Sequence, residues 1–228
     1  MLSIQTIDRT LEAGDHDRLL RDLGRNGLVL PLPLRSQLAQ NRAGAVALGL
    51  RRIIELTYRP TFLTRQLLGE LLSDQAPDGS WLDAEDQPSA VITAAAVAAL
   101  GRCLRDHQGL HNEQSLAIQG AYKQGLSALS LLQRSDASFA GSWDRTREDR
   151  LLTTSFIAYL LVDDPDFASS CRGHELLSLL ENELDRAERT TAELIEMARL
   201  ARLVPAPAIF DRPGQAGHKT VATTALSC

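Results

Sequence analysis

Apolar residues recur along this chain mostly at helical spacing, and the breaks between the apolar runs set the expected elements. Residues 3–24 carry Ile4, Ile7 and Leu11, then Leu19, Leu20 and Leu23, with Gly14-Asp15 between the two groups; the pattern predicts two short helices or one broken one. Residues 24–33 hold two glycines and two prolines around Leu28-Val29-Leu30 and predict an extended boundary. From 34 to 56 the periodicity returns as one long helix, or two joined near Gly44, ended by Arg59-Pro60. Thr61 is an expected N-cap for a leucine-rich helix through Leu67, Leu68, Leu71 and Leu72.

Residues 89–104 are alanine-rich and uncharged until Arg102, so a helix there is apolar nearly all round and belongs inside. A further helix is expected over 113–133, with an inner partner over 149–162. Residues 165–203 read as one more hairpin. The expected domain is 1–204, and 205–228, with three prolines and two glycines, is expected to be a C-terminal tail, either flexible or docked on the body through Pro205 to Phe210.

Two turns between these helices repeat one another. Leu71, Leu72, Gln75, Gly79, Ser80 and Trp81 recur as Leu131, Leu132, Gln133, Gly141, Ser142 and Trp143, and both tryptophans of the protein lie in the copies. Such self-similarity marks a repeated helical hairpin. A glutamine there can serve both helix ends, glycine permits a tight re-entry, and a tryptophan face can cover the amide.

The pattern resembles the glutamine-tryptophan repeat of the squalene-hopene cyclase, oxidosqualene cyclase and protein prenyltransferase superfamily over about residues 62–162. The resemblance implies an all-α fold, a partial α/α toroid of about four helical hairpins, with leucine-rich helices outside. It also implies two structural staples, Gln75 with Trp81 and Gln133 with Trp143, each with its glycine, Gly79 or Gly141.

Chemistry of that family's kind is not expected. Its cyclases carry an Asp-x-Asp-Asp motif, and the nearest runs, Asp83-Ala84-Glu85-Asp86 and Asp163-Asp164-Pro165-Asp166, do not match it. The first is expected to favour the following helix N-terminus, the second to form a solvated turn. Carbocation stabilisation needs aromatic faces, and the chain has two Trp, three Tyr and five Phe. Phe156 and Tyr159 are the pair best placed to line an interior cavity, but core packing is the expected role, because apolar residues at helical spacing are usually buried. The prenyltransferases bind zinc through Asp, Cys and His; the only close Cys and His here are Cys171 and His174, and no metal, cofactor or catalytic residue is expected.

Length and composition narrow the rest. With 228 residues and 44% hydrophobic content the chain can bury a sizeable core. A net charge of −5 gives no overall attraction to nucleic acid or an anionic membrane. Cys103, Cys171 and Cys228, odd in number and widely spaced, fit a reducing compartment, so the cytoplasm is the expected location. No run reaches the ~20 apolar residues a transmembrane helix needs. The leading expectation is a non-catalytic interaction or ligand-binding module, whose partner is a protein or an apolar small molecule. The alternatives are a terpenoid cyclase or prenyltransferase-like enzyme, or a subunit of one, and a helical regulator contacting nucleic acid through Arg51, Arg52, Arg145, Arg147 and Arg150.

Overall fold

The computed structural model describes residues 2–57, 59–106, 112–142 and 144–202. Among them the fold is all-α: α1 Ile4–Glu12, α2 His16–Arg25, α3 Leu32–Gln40, α4 Arg42–Leu56, α5 Phe62–Ser73, α6 Ala90–Asp106, α7 Asn112–Leu132, α8 Arg147–Leu161, α9 Pro165–Ser170, α10 Gly173–Glu183 and α11 Arg189–Arg202. The expected tail, 205–228, lies outside the described residues, as does Trp143.

Local chemistry accounts for the boundaries. Gly14 ends the first helix with φ +67°, and Asp15 caps α2 by accepting from Arg18 N. The next break falls at Asn41, not at Gly44. Asn41 Oδ1 accepts from Ala43 N and Gly44 N, which starts α4 at Arg42, two residues before the glycine. Gly44 stays helical for another reason: a Cβ there would stand 2.7 Å from Leu38 Cδ2, so the glycine lets α3 and α4 close on each other. Thr61 caps α5 in a reciprocal box with Thr64, and Thr146 does the same for α8 with Asp149, which moves the start of α8 from the expected 149 to 147.

Helix α6 is the axis of the molecule. From Val91 to Leu100 every residue is 4% exposed or less, and α4, α7 and α8 pack around it. Its alanines remove little side-chain volume from the gap between helices, so the neighbours approach closely. One connected apolar core extends from Leu2 to Ala198. At the far edge α11 packs on α8, and Thr191 Oγ1 donates to Glu148 Oε1 at 2.7 Å.

The two repeated turns share one hydrogen-bond scheme, in a register that differs from the one their Gly-Ser-Trp strings suggest. Gln75 Nε2 donates to Gly79 O, and Gln133 Nε2 to Ala137 O, both at 2.9 Å. Ser80 N and Oγ donate to Asp78 Oδ1, and Ser138 N and Oγ to Asp136 Oδ1. These serine bonds hold both carboxyls below their ordinary pKa. Trp81 N donates to Thr93 Oγ1 on α6, and Phe139 N to Thr154 Oγ1 on α8, each at 3.0 Å. Thus Ala137, Ser138 and Phe139 stand where Gly79, Ser80 and Trp81 stand in the first turn. Gly141 belongs to a separate loop: its N–H donates to Asp144 Oδ2 at 2.8 Å, while Thr153 Oγ1 donates to Oδ1 of the same carboxylate at 2.9 Å.

The two aromatic positions differ in one respect. The Trp81 indole N–H donates to Leu71 O at 2.8 Å and so satisfies a carbonyl at the end of α5. Phenylalanine has no such donor, and the corresponding Leu129 carbonyl accepts from Gln133 N at 3.0 Å instead. Gln75 also donates to Ala121 O on α7 at 2.9 Å, so this glutamine ties its own turn to the neighbouring helix.

Gly79 is required where it stands. Its φ is +88°, and a Cβ would lie 2.5 Å from Gln124 O. Ala137 adopts the same left-handed region at φ +66° with a side chain present, an arrangement that costs ~1–2 kcal/mol.

Trp81 and Phe139 are both fully buried. Trp81→Ala and Phe139→Ala are expected to destabilise the protein by ~3–5 kcal/mol each, measured by urea unfolding. A Phe139→Ala variant as stable as the parent contradicts the equivalence of the two turns.

Candidate functional site

The acidic run at 163–166 is not the solvated turn that its proline and charges predict. Asp164 is fully buried. Its Oδ2 accepts from Arg105 Nη1 at 2.6 Å, and its Oδ1 accepts from the Tyr122 hydroxyl at 2.8 Å and from the backbone N–H groups of Asp166 and Phe167 at 3.0 and 3.2 Å. One carboxylate thereby joins the end of α6 and the middle of α7 to the start of α9. Gly101 makes room for this junction, since a Cβ would come within 3.0 Å of Tyr122 Cε2 and 3.1 Å of Asp164 Oδ2. Burial opposes the charge on Arg105, but the adjacent Asp164 outweighs it and holds the guanidinium pKa above its ordinary value. Burial, reinforced by Asp164, pushes the Tyr122 hydroxyl up as well. A carboxylate with four donors aimed at its two oxygens serves as an anchor.

The anchored helix α9 forms one wall of a cavity of about 370 Å³. Val162, Phe167, Leu176 and Leu177 make its apolar interior; Ala168 and His174, both exposed, stand at its lip. Gly173 starts α10 close against α9, where a Cβ would lie 2.8 Å from Ala168 Cα. Arg172, with φ +43°, bridges back to the second repeated turn by donating to the carbonyls of Arg134 and Ser135. The corner therefore leans on the repeat scaffold from both sides.

The other residues singled out in the sequence are spread across the molecule. Cys171 is buried with Sγ 3.9 Å from Leu126 O, whereas His174 is exposed, so the pair does not converge on one ligand. Among the described residues, no cluster of three or more His, Cys, Asp or Glu is placed to hold a metal. Asp83 organises its own hairpin: Oδ1 accepts from Glu85 N and Gln87 N, while Ser89 Oγ accepts from Ile92 N at the start of α6. The acid thus shapes the turn and leaves the helix N-terminus to the serine. Phe156 and Tyr159 touch, with ring centroids 6.3 Å apart, but Phe156 is fully buried in the core and only Tyr159 reaches a cavity. Arg51 and Arg52 pair with Glu55, and Arg147 with Glu183. No described helix is long and apolar enough to cross a membrane.

Arg105, Tyr122, Thr93 and Thr154 carry the buried polar contacts, and the sequence reading passed over all four. The one signal for any of them is the Asp-x-Ser step after each glutamine, Asp78 to Ser80 and Asp136 to Ser138, which fixes the register and so points to the aromatic whose backbone meets the threonine. Comparison of the chain with protein-family models, curated proteins and solved structures returns no match.

Asp164→Asn leaves Arg105 buried without its counter-charge and is expected to cost ~3–5 kcal/mol, with much of the loss recovered when Arg105→Met is added; denaturant midpoints of the two single variants and the double variant check this. Burial also pushes the thiols of Cys103 and Cys171 from 9.0 up to about 12. A raised pKa in the folded state favours the protonated thiol, so this contribution to stability is intact below pH 9 and is lost as pH rises from 9 toward 12. The expected outcome is alkaline destabilisation over that window, reduced in a Cys103→Ala, Cys171→Ala variant.

Proposed function

We propose that the chain is a non-catalytic binding module whose helical scaffold presents an apolar small-molecule site at the α9–α10 corner. The cavity of about 370 Å³ carries this reading: it falls within the ~300–1,000 Å³ range of ligand sites, and like them it has an apolar interior with polar groups confined to its edge. The anchoring of α9 through Asp164 supports it further, because a wall fixed before binding spares the ligand the cost of ordering it. The engagement of Asp164 by four donors, and of Asp83 in its own turn, favours binding over acid catalysis. We also read α5 with α6 and α7 with α8 as successive hairpins of a partial α/α toroid, supported by the two turns that share one hydrogen-bond scheme.

The test uses farnesol as an apolar, uncharged probe. A ligand at about 100 times its Kd stabilises the folded state by ~2.7 kcal/mol, so saturating farnesol is expected to raise the Tm. Ala168→Trp, which fills the cavity from its exposed lip, is expected to abolish that rise while leaving the ligand-free Tm near the parent's. A rise that survives Ala168→Trp places the ligand elsewhere. Conversion of farnesyl diphosphate or squalene by the purified protein replaces this reading with an enzymatic one.

A further inference from the structure

A second, smaller cavity of about 120 Å³ is bounded by the α2–α3 link, α4 and Tyr159. Leu28, Leu48 and Tyr159 line its apolar part, and Arg51, Arg52 and Glu55 its polar part. Neighbouring residues on a helix point about 100° apart, yet both arginines bend toward the same carboxylate. Arg51 Nε lies 3.5 Å from Glu55 Oε1, and Arg52 Nη1 lies 2.9 Å from Oε2. Two guanidinium charges therefore share one carboxylate, which leaves a net positive charge at the cavity.

The guanidinium edges that Glu55 does not use are left over. Among the described residues, Arg51 Nη1 and Arg52 Nε are shielded from solvent and receive no acceptor, an unfavourable state for buried donors. Asn26, a neutral polar group at the cavity, is engaged elsewhere: its Oδ1 accepts from Leu2 N and its Nδ2 donates to Asp22 O. The side chains as a whole remain 20% and 24% exposed, so the site is reachable from outside.

We infer that this cavity binds a small carboxylate bearing a short apolar substituent. A planar carboxylate presents two acceptors that match guanidinium edges, and the leucines and Tyr159 ring suit an apolar substituent behind it. Size sets the limit. A cavity of about 150 Å³ holds a molecule the size of benzene, so about 120 Å³ takes a short branched chain whole, or a ring that projects partly through the opening to solvent. The inference stands apart from the α9–α10 cavity and rests on different residues.

Benzoate, isobutyrate, benzyl alcohol and inorganic phosphate are titrated into the full chain, and the arginine Nε–Hε resonances and the Gly27 amide are followed by NMR. Benzoate and isobutyrate are expected to give saturable shifts with Kd near ~1 mM. Benzyl alcohol, which keeps the ring and lacks the charge, is expected to bind at least about tenfold more weakly, and Arg52→Gln to weaken benzoate by about tenfold or more. Glu55→Gln removes the competing carboxylate and is expected to tighten benzoate about three- to tenfold, which a purely structural role for Glu55 does not produce and which reads the site even where Arg52→Gln fails to fold. Ala168→Trp is expected to leave benzoate binding unchanged. Absence of saturation, equal binding of benzyl alcohol, tighter binding of phosphate than of benzoate, no gain from Glu55→Gln, or loss of benzoate binding in Ala168→Trp each overturns the assignment.

Discussion

A helix buried on every side has no polar face by which its neighbours can hold it in register, and α6 depends on two side chains for this. Near its start the Thr93 hydroxyl accepts from Trp81 N, and near its end Arg105 donates to Asp164. Five of the eleven residues between them are alanines, whose smooth surface permits close packing but resists sliding only weakly. The two polar contacts fix the axis along its length. The first holds it to the α5–α6 turn, the second to the start of α9, and the rest of the fold is assembled around an axis that cannot shift by a turn without burying an unpaired charge.

Helix α8 uses the same device at its N-terminal half. Thr154 meets Phe139 and Thr153 meets Asp144, so that both the repeated turn and the loop after it are fastened to one helix. The separation between aromatic and threonine is 12 residues in the first copy and 15 in the second. Three additional residues in the second turn explain why the Gly-Ser-Trp string misleads. It matches residue identities that fall in the longer loop, whereas the backbone is fixed by the glutamine, the Asp-x-Ser step and the aromatic position. Ala137 obscured the match further, because its left-handed backbone would ordinarily call for glycine. The glutamines, Gly79 and Trp81 could be read from the sequence as parts of turns; the indole's service to Leu71 O and the place of Phe139 required the hydrogen bonds.

The helical pattern itself was largely legible, since apolar spacing and caps such as Thr61 act within a few residues of one another. Asp164 was not. Arg105 is 59 residues away from it and Tyr122 is 42 away, and nothing local distinguishes a carboxylate that will be buried from one that will face water beside a proline. Asp83 and Asp164 illustrate the limit. Both lie in short acidic runs after an apolar segment, yet one closes a hairpin near the surface and the other neutralises an arginine in the core.

The two cavities lie away from the α6 axis, and packing geometry accounts for that. Alanine side chains leave few gaps because the helices that bear them can close until backbones nearly touch. At the α9–α10 corner and along the α2–α4–α8 seam, larger branched or charged side chains meet in a restricted set of rotamers, and their shapes do not interlock fully. A void at such a joint persists only if its walls cannot relax inward. At the first corner Asp164 and the Arg172 bridge hold α9 and the start of α10 in place; at the second, Asn26 ties the end of α2 to the start of the chain and Glu55 restrains both arginines. The polar contacts that stabilise the fold therefore also keep these two voids open.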